Sequence, residues 1–163
     1  QGLPPVIGLT TRLVVLGSFP GIASLKAQQY YGHPRNHFWP ILSALWAVDL
    51  RGLDYGQRLQ QMHTRGVGLW DVYAACRREG SLDSAIEDAE ANDLAALVAR
   101  LPALRAIAHN GGESARAMRI TRRLGPPVRR LPSTSPANAS QRNETKWSAW
   151  REALGEAGIA LVD

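Results

Sequence analysis

Arg12-Leu-Val-Val-Leu-Gly-Ser-Phe-Pro-Gly21 decides how the chain folds. The unbroken apolar run between Arg12 and Gly17 reads as a strand buried on both faces, and Gly17, Pro20 and Gly21 end it in a tight turn. Outward from it, helical and strand patterns alternate. Residues 36–46 carry helical periodicity through Phe38, Ile41, Leu42, Leu45 and Trp46, and Asp54 caps a second predicted helix reaching about residue 64. A strand over 67–73 follows. Asn92 or Asp93 then opens a helix that stops before Pro102. Residues 105–109 read as a strand, 112–124 as a helix, 128–131 as a short strand, 143–157 as the last helix and 159–162 as a candidate final strand.

Continuous apolar strands alternating with helices predict an α/β fold, a three-layer α/β/α sandwich around a mainly parallel four-stranded sheet. Ligands of such sheets bind where the carboxyl ends of the strands meet the loops. That rule singles out residues 17–21, 70–73, 109–112 and 131–138.

With 163 residues, 45% of them hydrophobic and 20% charged, the chain is long enough for one core and too apolar for disorder. Residues 1–163 are therefore expected to form a single domain, acting as a monomer. No apolar run approaches the roughly 18–20 residues of a membrane span and no signal-peptide pattern opens the sequence, so a cytoplasmic, nucleoid-associated activity without membrane contact is expected. Cys76 is the only cysteine, which excludes an internal disulfide, a Cys-ligated cluster and a zinc finger. His33 and His37 are separated by Pro34 and lack an evident third ligand, so neither a metal nor any cofactor is expected.

The net charge of +5 comes from 17 Arg and 2 Lys against 14 acids. Arg in place of Lys can reflect codon usage; segregation of the two signs cannot. Glu79, Asp83, Glu87, Asp88, Glu90 and Asp93 crowd one stretch, while from 94 to 143 Glu113 is the only acid among nine Arg. A basic half points either to a polyanionic partner or to a solvated helix face. The first reading expects the arginines on the binding side and the acidic stretch turned away from it.

Three segments hold polar and aromatic residues that core packing leaves over. Gly17-Ser-Phe-Pro-Gly21 is a turn in which Ser18 lets a ligand approach the backbone, although it matches no nucleotide fingerprint. Tyr30-Tyr-Gly-His-Pro-Arg-Asn-His-Phe-Trp39 gathers aromatics beside Arg35, suited to stacking on a base. Periodicity buries neither Tyr30 nor Tyr31. Asn36 is also placed to cap the following helix. Leu131-Pro-Ser-Thr-Ser-Pro-Ala-Asn138 sets hydroxyls between two prolines, with Arg129 and Arg130 before it and Arg142 after it, as in a phosphate clamp.

From about Arg12 to the last helix the chain resembles the uracil-DNA glycosylase superfamily, most closely its hypoxanthine-DNA (deoxyinosine) glycosylase branch. The resemblance rests on Gly17-Ser-Phe-Pro-Gly-Ile-Ala-Ser-Leu25 with Gln29 to Trp39, on Gly68-Leu-Trp-Asp-Val-Tyr73 followed by Cys76-Arg-Arg-Glu-Gly-Ser-Leu-Asp83, and on the 131–138 loop. It implies a monofunctional DNA glycosylase of base excision repair. Such an enzyme flips a deaminated base, hypoxanthine first and then uracil, out of DNA and hydrolyses its N-glycosidic bond. Most branches carry an Asp or Asn in the first motif where Phe19 stands here; the resemblance implies that Asn36 orients the water instead. It places the base among Gly17, Ser18, Phe19, Tyr31, Asp71 and Asn110, with Phe19 stacking on it and Asp71 at its edge. DNA phosphates fall to Arg35, Ser133, Thr134, Ser135, Asn138 and Arg142. The residues by themselves also fit a non-catalytic nucleic-acid-binding domain, or a domain binding a free nucleoside.

Overall fold

The computed structural model describes residues 1–138 and 143–163. In chain order its elements are β1 (Leu13–Gly17), α1 (Ile22–Ala27), α2 (Phe38–Trp46), α3 (Tyr55–Arg65), β2 (Val67–Asp71), β3 (Tyr73–Arg77), β4 (Glu87–Ala91), α4 (Leu94–Ala99), β5 (Ala106–Asn110), α5 (Gly112–Ala115), α6 (Met118–Thr121), β6 (Val128–Leu131) and α7 (Asn143–Glu156).

β1 lies inside a four-stranded sheet ordered β2-β1-β5-β6, and every pairing in it is parallel. All five residues of β1 are buried, because successive side chains feed opposite layers. Leu13 and Val15 join the core built with α2, α3 and α7, around Phe38, Trp46, Met62 and Trp150. Val14 and Leu16 join a second core beneath α4 and α6, with Leu94, Leu97 and Ala117. The three-layer α/β/α sandwich expected from the sequence is the one observed.

Local chemistry fixes the boundaries. The Asp54 carboxylate accepts the Gln57 N–H at 2.8 Å, and the Gln57 side chain returns the favour to the Asp54 N–H, a complete capping box for α3. Asp93 accepts from Ala96 N–H and starts α4. α2 begins two residues later than its periodicity predicts, because the Asn36 Oδ1 takes the Phe38 N–H at 2.9 Å and the His37 N–H goes to the Thr134 carbonyl.

Three other boundaries depart from the sequence reading. The strand over 67–73 stops at Asp71: Val72 and Tyr73 donate sideways to the Gly17 and Ser18 carbonyls, and the chain leaves the sheet. It continues as β3, paired antiparallel with β4 in a separate hairpin that the sequence did not announce. Residues 159–162 form no strand; the Val162 N–H bonds the Leu45 carbonyl, so the segment packs on the end of α2.

The helix expected over 112–124 is two short turns pinned to β5 by His109. The Ser114 hydroxyl gives its one proton to the Leu16 carbonyl at 2.6 Å. Its lone pair therefore accepts from His109 Nδ1–H at 2.9 Å, which leaves Nε2 to accept from the Thr121 hydroxyl at 2.9 Å. His109 is fully buried in this neutral tautomer, and burial pushes its pKa down to about 4. The unfolded chain protonates His109 near its usual value of about 6.5, so its contribution to stability is whole above that value and drains away as pH falls toward 4. Chemical denaturation of the native chain and of His109→Gln at pH 7 and pH 4.5 should show about 2–3 kcal/mol more acid loss in the native chain. Equal losses would mean that His109 is not buried neutral.

Candidate active site

The parallel register brings Gly17, Asp71 and Asn110 to one edge of the sheet, with Gly17 paired to Asp71 and Asn110 to Leu131. A cavity of about 240 Å³ opens above them. Its floor is the Asp71 side chain, 5% exposed, whose Oδ2 is buried and has no hydrogen-bond partner. Burial, reinforced by the neighbouring Asp83 carboxylate and only partly offset by Arg78, pushes Asp71 up to about 7. Asp71 neither caps a helix nor closes a turn with its side chain. A Cβ on Gly17 would stand 2.5 Å from Asp71 Oδ1, so the glycine is what lets this carboxyl lie across the strand end.

One wall descends from the segment ahead of α2. Tyr31, in the left-handed region at φ +55°, stacks on Phe38 with ring centroids 4.1 Å apart. Burial and the Asp71 charge hold its hydroxyl in the protonated form. Asn36 lines the same wall, and its amide is oriented by the bond from Phe38 N–H. Asn110 joins this wall to the next loop: its Nδ2 donates to Tyr31 Oη at 3.3 Å and to Thr134 Oγ1 at 2.9 Å, while its Oδ1 accepts the Thr134 N–H at 3.0 Å.

The opposite wall comes from the loop between β3 and β4. The Ser18 hydroxyl donates to Asp83 Oδ1 at 2.6 Å, and the Ile22 N–H donates to Ser81 Oγ at 3.0 Å. Arg78 lies beneath the Phe19 ring, 5.5 Å from its centroid, and donates to the Pro20 carbonyl. Its Nη1, without a hydrogen-bond partner, stands 4.0 Å from Asp83.

Ser133 and Ser135 form the third side. Their hydroxyl oxygens accept from Ser135 N–H and Ala137 N–H and wind the loop tightly. Asn138 donates from Nδ2 to the Ser133 carbonyl and accepts Lys146 Nζ on its own carbonyl at 2.7 Å. Lys146 is fully buried, 3.4 Å from His37 Nδ1, and so ties α7 and the start of α2 to this loop. Arg130 is exposed beside it, its Nη2 3.0 Å from where a Cβ on Gly112 would stand.

Gly17, Ser18, Phe19, Tyr31, Asn36, Asp71, Asn110, Ser133, Thr134 and Ser135 thus surround one cavity. Several expectations need correcting. Thr134 is 1% exposed with its N–H, hydroxyl and carbonyl engaged within the protein, so here it anchors the loop rather than offering free groups to a phosphate. Tyr30 is core, its hydroxyl donating toward the Leu3 and Pro4 carbonyls. Arg129 faces α7 and pairs with Glu152 and Glu156, because side chains alternate along β6. The acidic stretch does not turn away as a whole: β4 exposes Glu87, Asp88 and Glu90, but Asp83 enters the cavity. Arg35 is exposed and outside the cavity lining, and Arg142 lies outside the described residues.

Sequence reasoning missed Ser81, Asp83, Arg78 and Lys146. For Lys146 a signal existed: Lys146, Trp150, Ala153 and Leu154 share the buried stripe of α7. For Arg78, Ser81 and Asp83 the one signal was the 76–83 stretch that carries the resemblance, since β4 is exposed throughout and shows no alternation. Among the described residues no three His, Cys, Asp or Glu side chains converge as for a metal, and no helix is long and apolar enough to cross a membrane.

Comparison with known proteins places this geometry. The family model described as the uracil DNA glycosylase superfamily matches residues 4–154. A hypoxanthine DNA glycosylase of Methanosarcina barkeri is 40% identical over 154 residues, covering 94% of this chain and 97% of the relative. A second, from Methanosarcina acetivorans, is 38% identical, covering 91% and 96%. The solution structure of a candidate uracil DNA glycosylase from M. acetivorans superposes with a TM-score of 0.87 at 35% identity, covering 97% of this chain and 98% of that one.

Asn110 is the joint between the sheet, Tyr31 and the Ser/Pro loop. Replacing it by Ala leaves the buried Thr134 N–H and hydroxyl unpaired, an expected loss of about 2–4 kcal/mol in urea denaturation. Amide exchange at Thr134 should accelerate further than that global loss accounts for. An unchanged Thr134 protection factor would mean that other contacts hold the loop.

Proposed function

The chain belongs to the uracil DNA glycosylase superfamily, and from that membership we propose that it is a monofunctional DNA glycosylase releasing deaminated bases, hypoxanthine first and uracil second. Residues 1–163 act as one catalytic domain. The observation that carries the reading is the partnerless Asp71 Oδ2, buried at the floor of a cavity whose wall holds Asn36.

The target nucleotide leaves the stack so that its base can enter the cavity, at a cost of about a few kcal/mol that is smallest for weakly paired bases. Ser133 and Ser135, with Arg130 and Arg35 outside, contact the flanking phosphates and offset that cost. Inside, the base slots between Phe19 and Tyr31. Asp71 meets its lactam edge: the carboxyl accepts the N1–H of hypoxanthine and, while protonated, donates to O6. As the glycosidic bond stretches, negative charge accumulates on the departing base, so this donor acts most strongly in the transition state. Asn36, with its amide fixed by Phe38 N–H, orients the water toward C1′. That role is uncharged and needs no general base.

Two measurements test the reading. Asn36→Ala should bind an inosine-containing duplex as before but lose alkali-revealed strand nicking by about a hundredfold or more. Undiminished nicking would remove Asn36 from the mechanism. Because Asp71 titrates near 7, single-turnover base release should decline as pH rises through that value. Asp71→Asn keeps a donor and an acceptor without a titrating proton and should flatten the decline; an identical alkaline limb in the variant would clear Asp71 of the role.

A further inference from the structure

The arginines that made one half of the sequence basic do not gather at the cavity. Arg100 follows α4, Arg105 precedes β5, and Arg119, Arg122 and Arg123 lie on α6 and on the turn leading back to β6. α4, α6 and the turn after it share one layer, with Leu97, Leu101, Ala117, Leu104 and Leu124 together in the core beneath it, whereas Arg105 Nη1 stands 2.6 Å from where a Cβ on Gly158 would be, at the end of α7 in the opposite layer. Strand direction separates them from the site. The cavity sits at the carboxyl ends of the strands, whereas Arg100 and Arg105 stand just ahead of β5 and Arg122 and Arg123 ahead of β6, toward the amino ends.

All five are exposed, and none forms an ion pair among the described residues, unlike Arg77, Arg78, Arg116 and Arg129, each of which meets an acid. Arg119, Arg122 and Arg123 stand at i, i+3 and i+4, which turns them to one side. Arg119 and Arg123 flank a shallow groove floored by Ile120 and Leu124. Arg119, Arg122 and Arg123, close in sequence and without an ion-pair partner among the described residues, repel one another, and a polyanion would relieve that repulsion. A protein partner would call for an apolar centre, and Ile120 is the one large apolar side chain exposed on this segment. Closely spaced guanidinium groups with little apolar surface between them suit a phosphodiester backbone.

We propose that the outer surface of the α4–α6 layer is a second DNA-binding surface, which holds a stretch of duplex by its phosphates independently of the base cavity. Through it one molecule holds two duplex segments, the damaged strand at the cavity and undamaged DNA at the arginines. The proposal goes beyond the glycosylase reading; only the count of two duplexes rests on it, and the salt slope does not.

The test combines Arg119→Gln, Arg122→Gln and Arg123→Gln in one variant, all at exposed positions. Anisotropy with a short undamaged duplex reads affinity against salt, and sedimentation reads stoichiometry. Neutralising three phosphate contacts at roughly 0.9 each should lower the slope of log K against log salt by about 2–3 and weaken binding at low salt by about tenfold or more. The native chain should hold two short duplexes and the variant one, while single-turnover release of hypoxanthine from a short inosine duplex stays unchanged. A slope and stoichiometry equal to those of the native chain would overturn the proposal, and so would binding of a polyglutamate peptide in preference to the duplex. Base release is scored separately. A native chain that releases no base but loses its salt slope in the variant would refute the glycosylase reading and leave this surface standing.

Discussion

A parallel sheet covered on both faces by helices opens to a ligand at the ends of its strands, and the cavity follows from that constraint. β1 is buried along its whole length, so its side chains serve the two cores and no ligand. Its parallel neighbours end at the same edge, where Gly17, Asp71, Asn110 and Leu131 arrive in register. The polar groups at those ends have left the ladder, and each must find a partner or remain open to one. Asn110 satisfies itself on Thr134 and Tyr31, and so turns a strand end into a rigid joint. Asp71 does not, and the difference separates scaffold from site.

A buried carboxyl oxygen without a partner costs on the order of 1–3 kcal/mol, and a fold has many ways to avoid it. Here the surroundings sustain it. Gly17 gives the carboxyl room, Asp83 adds a like charge, and Arg78, the cation that would relieve it, is drawn away to the Pro20 carbonyl beneath Phe19. A proton held to about pH 7 is the cheapest remaining way to limit the charge. The unsatisfied group is thus a consequence of the Gly17–Gly21 turn and the β3–β4 loop closing on each other. Those two segments are far apart in sequence and meet through Ser18–Asp83 and Ile22–Ser81.

What the sequence disclosed follows that division. Elements that bury a face announced themselves: β1 by its apolar run, α3 by Asp54 and Gln57, β6 within its stated bounds, and with them the layered sheet. The cavity-lining residues at strand ends, Gly17, Asp71 and Asn110, were legible because a parallel sheet opens its cleft there. Legibility failed where long-range contacts override local pattern. His109 bends one predicted helix into two turns through Ser114 and Thr121, partners five and twelve residues away. β4 reads Glu-Asp-Ala-Glu-Ala, with no alternation to mark a strand, so the hairpin that carries Asp83 into the cavity was invisible. Thr134 looked like its neighbours Ser133 and Ser135, and only the fold reveals that it points inward to Asn110.

The placement of charge separates what may enter the cavity from what must stay outside. The cavity holds two carboxyl groups, and its nearest guanidinium, Arg78, is spent on backbone carbonyls and on the Phe19 face. A phosphate brought into that space would meet Asp83 and, above about pH 7, Asp71 as like charges. A neutral base carries no charge for those carboxylates to repel. Under the glycosylase reading, the backbone is therefore held at the rim by Ser133, Ser135 and Arg130, and the base alone crosses inward. The acids of residues 79–93 looked like the half of the chain that DNA should avoid. Asp83 instead lines the cavity, while Arg119, Arg122 and Arg123, three of the arginines it was contrasted with, lie away from it.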